Sequence, residues 1–212
     1  MTVRSNIIVP RACKATITRE FSLGVASYES NDLYSPDTEI WKSKVLDLAS
    51  PLYGPNKTYI FDKSRYGNHG TITGAVWERL PSGVYALKFD GVDDHVNLGN
   101  PTSLDITGDK LTISVWCKNI EASPGDNTRR SLVEKYPGDG QGYDLTTYYF
   151  EGTWRVLFTI FGLGRPSVSC TVPSIPSTWQ NIVGVYDGTQ GIIYVDGVSK
   201  ATSPGTGNIV ST

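Results

Sequence analysis

The chain has 212 residues, 39% of them hydrophobic and 19% charged, with a formal net charge of −2. That length suits one all-β sandwich or barrel better than two domains, and the composition supports a substantial core. The slightly acidic balance argues against nucleic acid as a partner, because such proteins present a basic face; no apolar run approaches the roughly 20 residues of a membrane-spanning helix, so no membrane insertion is expected.

At the N-terminus, Asn6-Ile-Ile-Val9 is followed at once by Pro10-Arg11 and is too short for the apolar core of a secretory signal. An extracellular or virion-associated location would therefore need another route. Asn31-Asp-Leu-Tyr-Ser-Pro-Asp37 is turn-rich, and the stretch from Thr38 to Leu46 reads as the start of a short helix or strand. Residues 1–45 are read as an N-terminal extension or arm, and 46–212 as the sandwich. The alternative is that the leader simply adds a strand or two.

Beyond it, 22 glycines and 12 prolines punctuate short alternating runs, with no long helical period. Val84–Phe89 ends at Asp90-Gly91. In Leu111–Cys117, alternation puts Leu111, Ile113, Val115 and Cys117 on one face and Thr112, Ser114 and Trp116 on the other. Trp154, Val156, Phe158 and Ile160 share a face in the next strong run. Gln180–Tyr186 and Ile192–Val195 flank Asp187-Gly-Thr-Gln-Gly191, a hairpin, and Asp196-Gly197 predicts a tight turn with positive φ at both positions. Pro204–Gly207 is read as a loop or tail. Together these predict an all-β, two-sheet antiparallel jelly-roll sandwich. The three cysteines, Cys13, Cys117 and Cys170, cannot all pair within one chain, and none has metal-site or redox spacing. A Cys117–Cys170 bridge and free thiols both stay open.

The order and spacing of several segments resemble the laminin-G-like, concanavalin A-like domains. The carriers are Asn68-His-Gly-Thr-Ile-Thr-Gly74 with Trp77, Leu87-Lys-Phe-Asp-Gly-Val-Asp-Asp-His-Val96, Leu111–Trp116, Trp179–Gly188 and Ile193-Tyr-Val-Asp-Gly-Val198. The resemblance spans residues 46–200 and implies a β-sandwich that carries either a lectin site or a glycosidase site. Members of the family normally continue through further strands after the Val-Asp-Gly turn. The resemblance therefore leaves strands to be supplied by the leader, by a partner chain or by sequence outside this one.

Glycosidases of this resemblance place two carboxylates on one strand as Glu-x-Asp-x-x-Glu. None of the seven glutamates is followed two positions later by Asp, so no catalytic residue is assigned. The resemblance also implies a structural calcium, with Asp62, Asn68 and Asp90 as the oxygen ligands; side chain–backbone turns are the alternative for all three. Two histidines, His69 and His95, make no zinc pattern. Five Trp and 12 Tyr supply ring faces for stacking on sugars. The expected ligand site surrounds the turn Gly138-Asp-Gly-Gln-Gly142, with Tyr136, Asp139, Gln141, Tyr143 and Asp144, together with Trp116 on a strand of the same sheet. The expected function is a non-catalytic lectin-like module whose partner is a glycan or a surface or virion protein, within a homo-oligomer or larger assembly. The alternative is a virion structural or decoration protein.

Overall fold

Alternation between apolar and polar positions decides how the strands stack. In the computed structural model the described residues are 2–4, 15–18, 44–48, 56–83, 85–118, 125, 127–135, 140–162, 167–171 and 178–210. In chain order the strands are β1 (Thr2–Arg4), β2 (Ala15–Thr18), β3 (Lys44–Leu48), β4 (Tyr59–Ile60), β5 (Gly70–Thr73), β6 (Val76–Arg79), β7 (Tyr85–Lys88) and β8 (His95–Asn97). They continue as β9 (Leu111–Cys117), β10 (Thr128–Lys135), β11 (Tyr143–Phe150), β12 (Thr153–Ile160), β13 (Ser167–Thr171), β14 (Gln180–Tyr186), β15 (Gln190–Val195) and β16 (Val198–Pro204).

An eight-stranded large sheet has the order β13-β12-β11-β10-β1-β8-β5-β4, and a six-stranded small sheet the order β16-β15-β14-β9-β2-β3. β6 and β7 form a separate two-stranded ribbon. Every strand pairing among the described residues is antiparallel.

Leu111, Ile113, Val115 and Cys117 on β9, and Trp154, Val156, Phe158 and Ile160 on β12, are all buried. These faces meet between the sheets. The closest approach is at Gly184 on β14, where an added Cβ would lie 2.5 Å from the Phe158 ring on β12. A methyl group cannot enter so dense an interior without moving the ring. Asp196 and Gly197 have φ of 51° and 77°, the positive pair that a two-residue hairpin turn requires.

The leader enters both sheets. β1 sits between β10 and β8 in the large sheet, and β2 lies between β9 and β3 in the small one. β3, at the other end of the leader, buries Leu46 and Leu48. The segment after β16 crosses one end of the sandwich. Ile209 N–H donates to Gly108 O, Gly142 N–H to Val210 O (both 2.8 Å) and the Tyr186 hydroxyl to Gly207 O at 2.6 Å. Ile209 itself is buried, so this segment closes the core and is not a loose tail.

Cys117 is a free thiol, which removes the Cys117–Cys170 bridge. Burial, with Asp196 nearby, pushes its pKa up to about 12. It behaves as a small core residue. Cys13 lies outside the described residues.

Candidate functional site

The large sheet turns a continuous row of mostly polar residues away from the core. Register links Tyr59 to Thr71, Thr71 to Asn97, Asn97 to Thr2, Thr2 to Glu134, Glu134 to Asp144, Asp144 to Thr159 and Thr159 to Ser167. Directly paired residues share a sheet face; the pairing crosses all eight strands, and its members on β4, β5, β8, β10, β11 and β12 lie on the side opposite the buried residues. At the usual strand spacing it is about 34 Å long. Parallel positions on β11 carry Thr146, Tyr148 and Phe150, with Ser131 and Arg129 across from Thr146 and Tyr148 on β10, and Arg155 across from Tyr148 on β12.

Asp144 is the electrostatic centre of this face. It points outward yet is only 4% exposed. Its Oδ2 accepts from Arg129 Nη2 (3.3 Å) and from the Thr146 hydroxyl (3.2 Å). Its Oδ1 is buried and has no hydrogen-bond partner among the described residues. Burial raises the Asp144 pKa to about 6, against the lowering effects of Arg129 and Thr146 and with a further rise from Glu134 across the strand pair. Arg129 starts beside Tyr148 and reaches Asp144, so its side chain runs along the face. Farther along β11, Tyr148 and Phe150 stack with ring centroids 5.9 Å apart, and the Arg155 guanidinium lies 5.3 Å from the Phe150 ring. Arg155 also pairs with Glu151 at 3.2 Å. The arrangement offers a carboxylate oxygen that lacks a donor, two hydroxyls, and aromatic surface along one line of the sheet.

At the β4 edge the chain alternates strictly. Ile60, Asp62 and Ser64 are buried while Tyr59, Phe61, Lys63 and Arg65 are exposed. Asp62 organises this turn. Its Oδ1 accepts the Ser64 N–H (2.8 Å), and its Oδ2 accepts the Ser64 hydroxyl and the Asn68 N–H (both 2.7 Å). The Asn68 side-chain oxygen accepts from the Ser103 hydroxyl at 3.0 Å. Both oxygens expected for a metal here are thus engaged by protein donors.

Asp90 belongs to a different group. Its carboxylate lies with those of Asp93 and Asp94, with one oxygen from each within 4.8 Å of the others. Asp90 Oδ1 already accepts the Val92 N–H, and Asp94 Oδ2 accepts the Asp90 N–H (both 2.8 Å). Calcium prefers six to eight oxygens. The Asp62 oxygens already accept from Ser64 and Asn68, and the Asn68 oxygen from Ser103, so a cation there would share them with protein donors. The aspartate trio retains uncommitted oxygens.

One protein-family model, described as the concanavalin A-like lectin/glucanases superfamily, matches residues 90–212. The chain belongs to this superfamily. The match covers β8 to β16, including Asp144 and the strands on either side of it, and leaves the β4 turn outside. No curated protein matches the chain. Concanavalin A-like domains include both lectins and glucanases, so membership leaves the choice to the site.

Of the described residues expected at a ligand site, Asp144 alone lies centrally on the outward face. Tyr143, read as a loop aromatic, opens β11 instead: it is fully buried, with its hydroxyl donating to Leu104 O at 3.0 Å. Its ring faces the core because it is one residue out of phase with Asp144. Trp116, expected on the same sheet, is on β9 of the small sheet and about a third exposed, on the opposite side of the sandwich. Gln141 is half-buried at the approach to β11. Tyr136 and Asp139 lie outside the described residues. Arg129, Glu134 and Thr146 are not among the residues expected from the sequence to bind. The signal that could have found them was the alternation of Asp144, Thr146 and Tyr148, which places three polar or aromatic side chains on one face.

Proposed function

We propose that the protein is a non-catalytic saccharide-binding module whose ligand lies along the outward row of the large sheet. The observation that carries this reading is the outward line of hydroxyl, amide and aromatic side chains, with the Asp144 carboxylate at its centre. The exposed Thr71 and Asn97 side chains pair with sugar hydroxyls, and the exposed flanks of Tyr148 and Phe150 supply ring faces for stacking. The row's length favours an oligosaccharide over a single sugar. Such a module acts at a surface or within a larger assembly. The test is a glycan array with the wild type and with Asp144→Asn and Tyr148→Ala. Saccharide binding that both variants weaken supports the reading. Silence across a broad array removes it.

A hydrolase reading has one observation in its favour. Asp144 and Glu134 are direct cross-strand neighbours, and a carboxyl raised to about 6 is suited to proton donation. Against it, Arg129 and Thr146 both hold one Asp144 oxygen. Reducing-end release from a polysaccharide that stops in both Asp144→Asn and Glu134→Gln would replace the binding reading with this one. The virion-structural reading drew on strands missing from the sandwich. With β1 between β8 and β10, the large sheet has no break there for a donated strand, which leaves that reading with less support than saccharide binding.

A further inference from the structure

The β4 edge of the outward face differs from its centre in charge. One step past the Ile60–Gly70 pair, Phe61 and His69 meet edge-to-face with centroids 5.2 Å apart. Lys63 Nζ lies 5.9 Å from the Phe61 ring, and the Arg65 guanidinium lies 4.9 Å from the Tyr66 ring while donating to its hydroxyl at 2.9 Å. Tyr59, Phe61 and Tyr66 are 45%, 42% and 37% exposed. Neither Lys63 nor Arg65 has an ion-pair partner among the described residues. In a chain whose net charge is −2, two cations without acids beside three open rings form a local attraction that overall charge does not explain.

Resting on the saccharide reading above, we infer that this rim is an anionic subsite of the same face, and that the ligand carries uronic acid residues. The apolar face of a pyranose stacks on Phe61 or Tyr59. The carboxylate at the ring's edge then meets Lys63 and the Arg65 fork, whose planar N–H edges match a planar carboxylate. The subsite is preorganised, because the buried Asp62 carboxylate fixes the turn that presents both cations. Nucleic acid offers the same combination of stacking and negative charge. The saccharide is favoured because a phosphate on every nucleotide would run along the row into Glu134 and Asp144, whereas a uronate places charge only where the sugar sequence does.

The experiment measures the affinity of the full chain for oligosaccharides of galacturonate, mannuronate and glucuronate, each beside its carboxyl-reduced neutral counterpart. Sulfated oligosaccharides and single-stranded DNA complete the panel. At least one uronate is expected to bind about tenfold more tightly than its reduced form. That preference should shrink with salt and vanish in Lys63→Gln/Arg65→Gln, whose binding of the neutral form stays at the wild-type level. Both side chains are exposed and outside the Asp62 hydrogen bonds, so the variant should fold, and its unfolding midpoint checks this. Equal affinity for every acid and its reduced form overturns the inference while leaving the saccharide reading intact. So does a preference the double variant retains, or preferential capture of sulfated sugars or DNA. Failure of all saccharides overturns both.

Discussion

Asp62 and Asp144 are both buried aspartates of strands or turns in the large sheet, and their surroundings make them opposites. Asp62 points inward, and both oxygens accept from donors of its own turn, two of them backbone N–H groups. Asp144 points outward, and one of its oxygens is buried without a donor. The first carboxylate holds the fold together. The second is held by the fold in a state that favours a proton or a ligand. Burial of a charged residue therefore says little about its role until each of its oxygens has been traced to a partner.

The comparison breaks most visibly at Asp62. Asp62→Ala leaves the Ser64 and Asn68 N–H groups without their acceptor, and should cost about 4 kcal/mol in denaturant unfolding. Asp62→Asn keeps one acceptor oxygen and should lose roughly half of that. A cost below about 1 kcal/mol for the alanine variant would mean that the turn is held by other contacts.

Asp144 should respond to pH instead. Its folded pKa, about 6, stands above the ordinary 3.8. Between those values the folded chain keeps a proton that the unfolded chain has released. The group's contribution is thus fully present below the unfolded pKa and is lost as pH rises through about 6. Relative to Asp144→Asn, the wild type should lose up to about 3 kcal/mol of stability across that window. Parallel unfolding curves of the two proteins at pH 4 and pH 7 would show that Asp144 is better solvated than its burial implies.

Tyr148→Ala sharpens the contrast from the binding side. It should weaken saccharide binding about tenfold while moving the unfolding midpoint little, because the ring is only half-buried. The smallest effect is expected from calcium. Asp90, Asp93 and Asp94 are the described acids that converge, so millimolar calcium should raise Tm slightly in the wild type and not in Asp93→Asn. An unchanged wild-type Tm removes the ion from the reading.

Much of the sandwich was legible because burial on one face imposes a period of two. Leu111, Ile113, Val115 and Cys117 declared the core face of β9, and Asp196-Gly197 declared the turn between β15 and β16, from residue type alone. The site was legible only in part. Asp144 was within reach of a composition argument about polar residues near a glycine turn, but the same argument took Tyr143, its neighbour. The error is one residue, and in a strand one residue exchanges the core for solvent. Trp116 was misplaced for a different reason: alternation tells which face a residue takes, and is silent on which sheet its strand joins.

The sequence by itself determined the fold class, the core faces of the strands and the positions of the tight turns, since each follows from local pattern and backbone geometry. Tertiary structure alone decided the row that crosses the large sheet, because its members come from strands far apart in the chain and meet only through register. It also decided that β1 enters the large sheet and β2 the small one, and that Asp62 and Asp144 differ. Those outcomes depend on partners that no local pattern names.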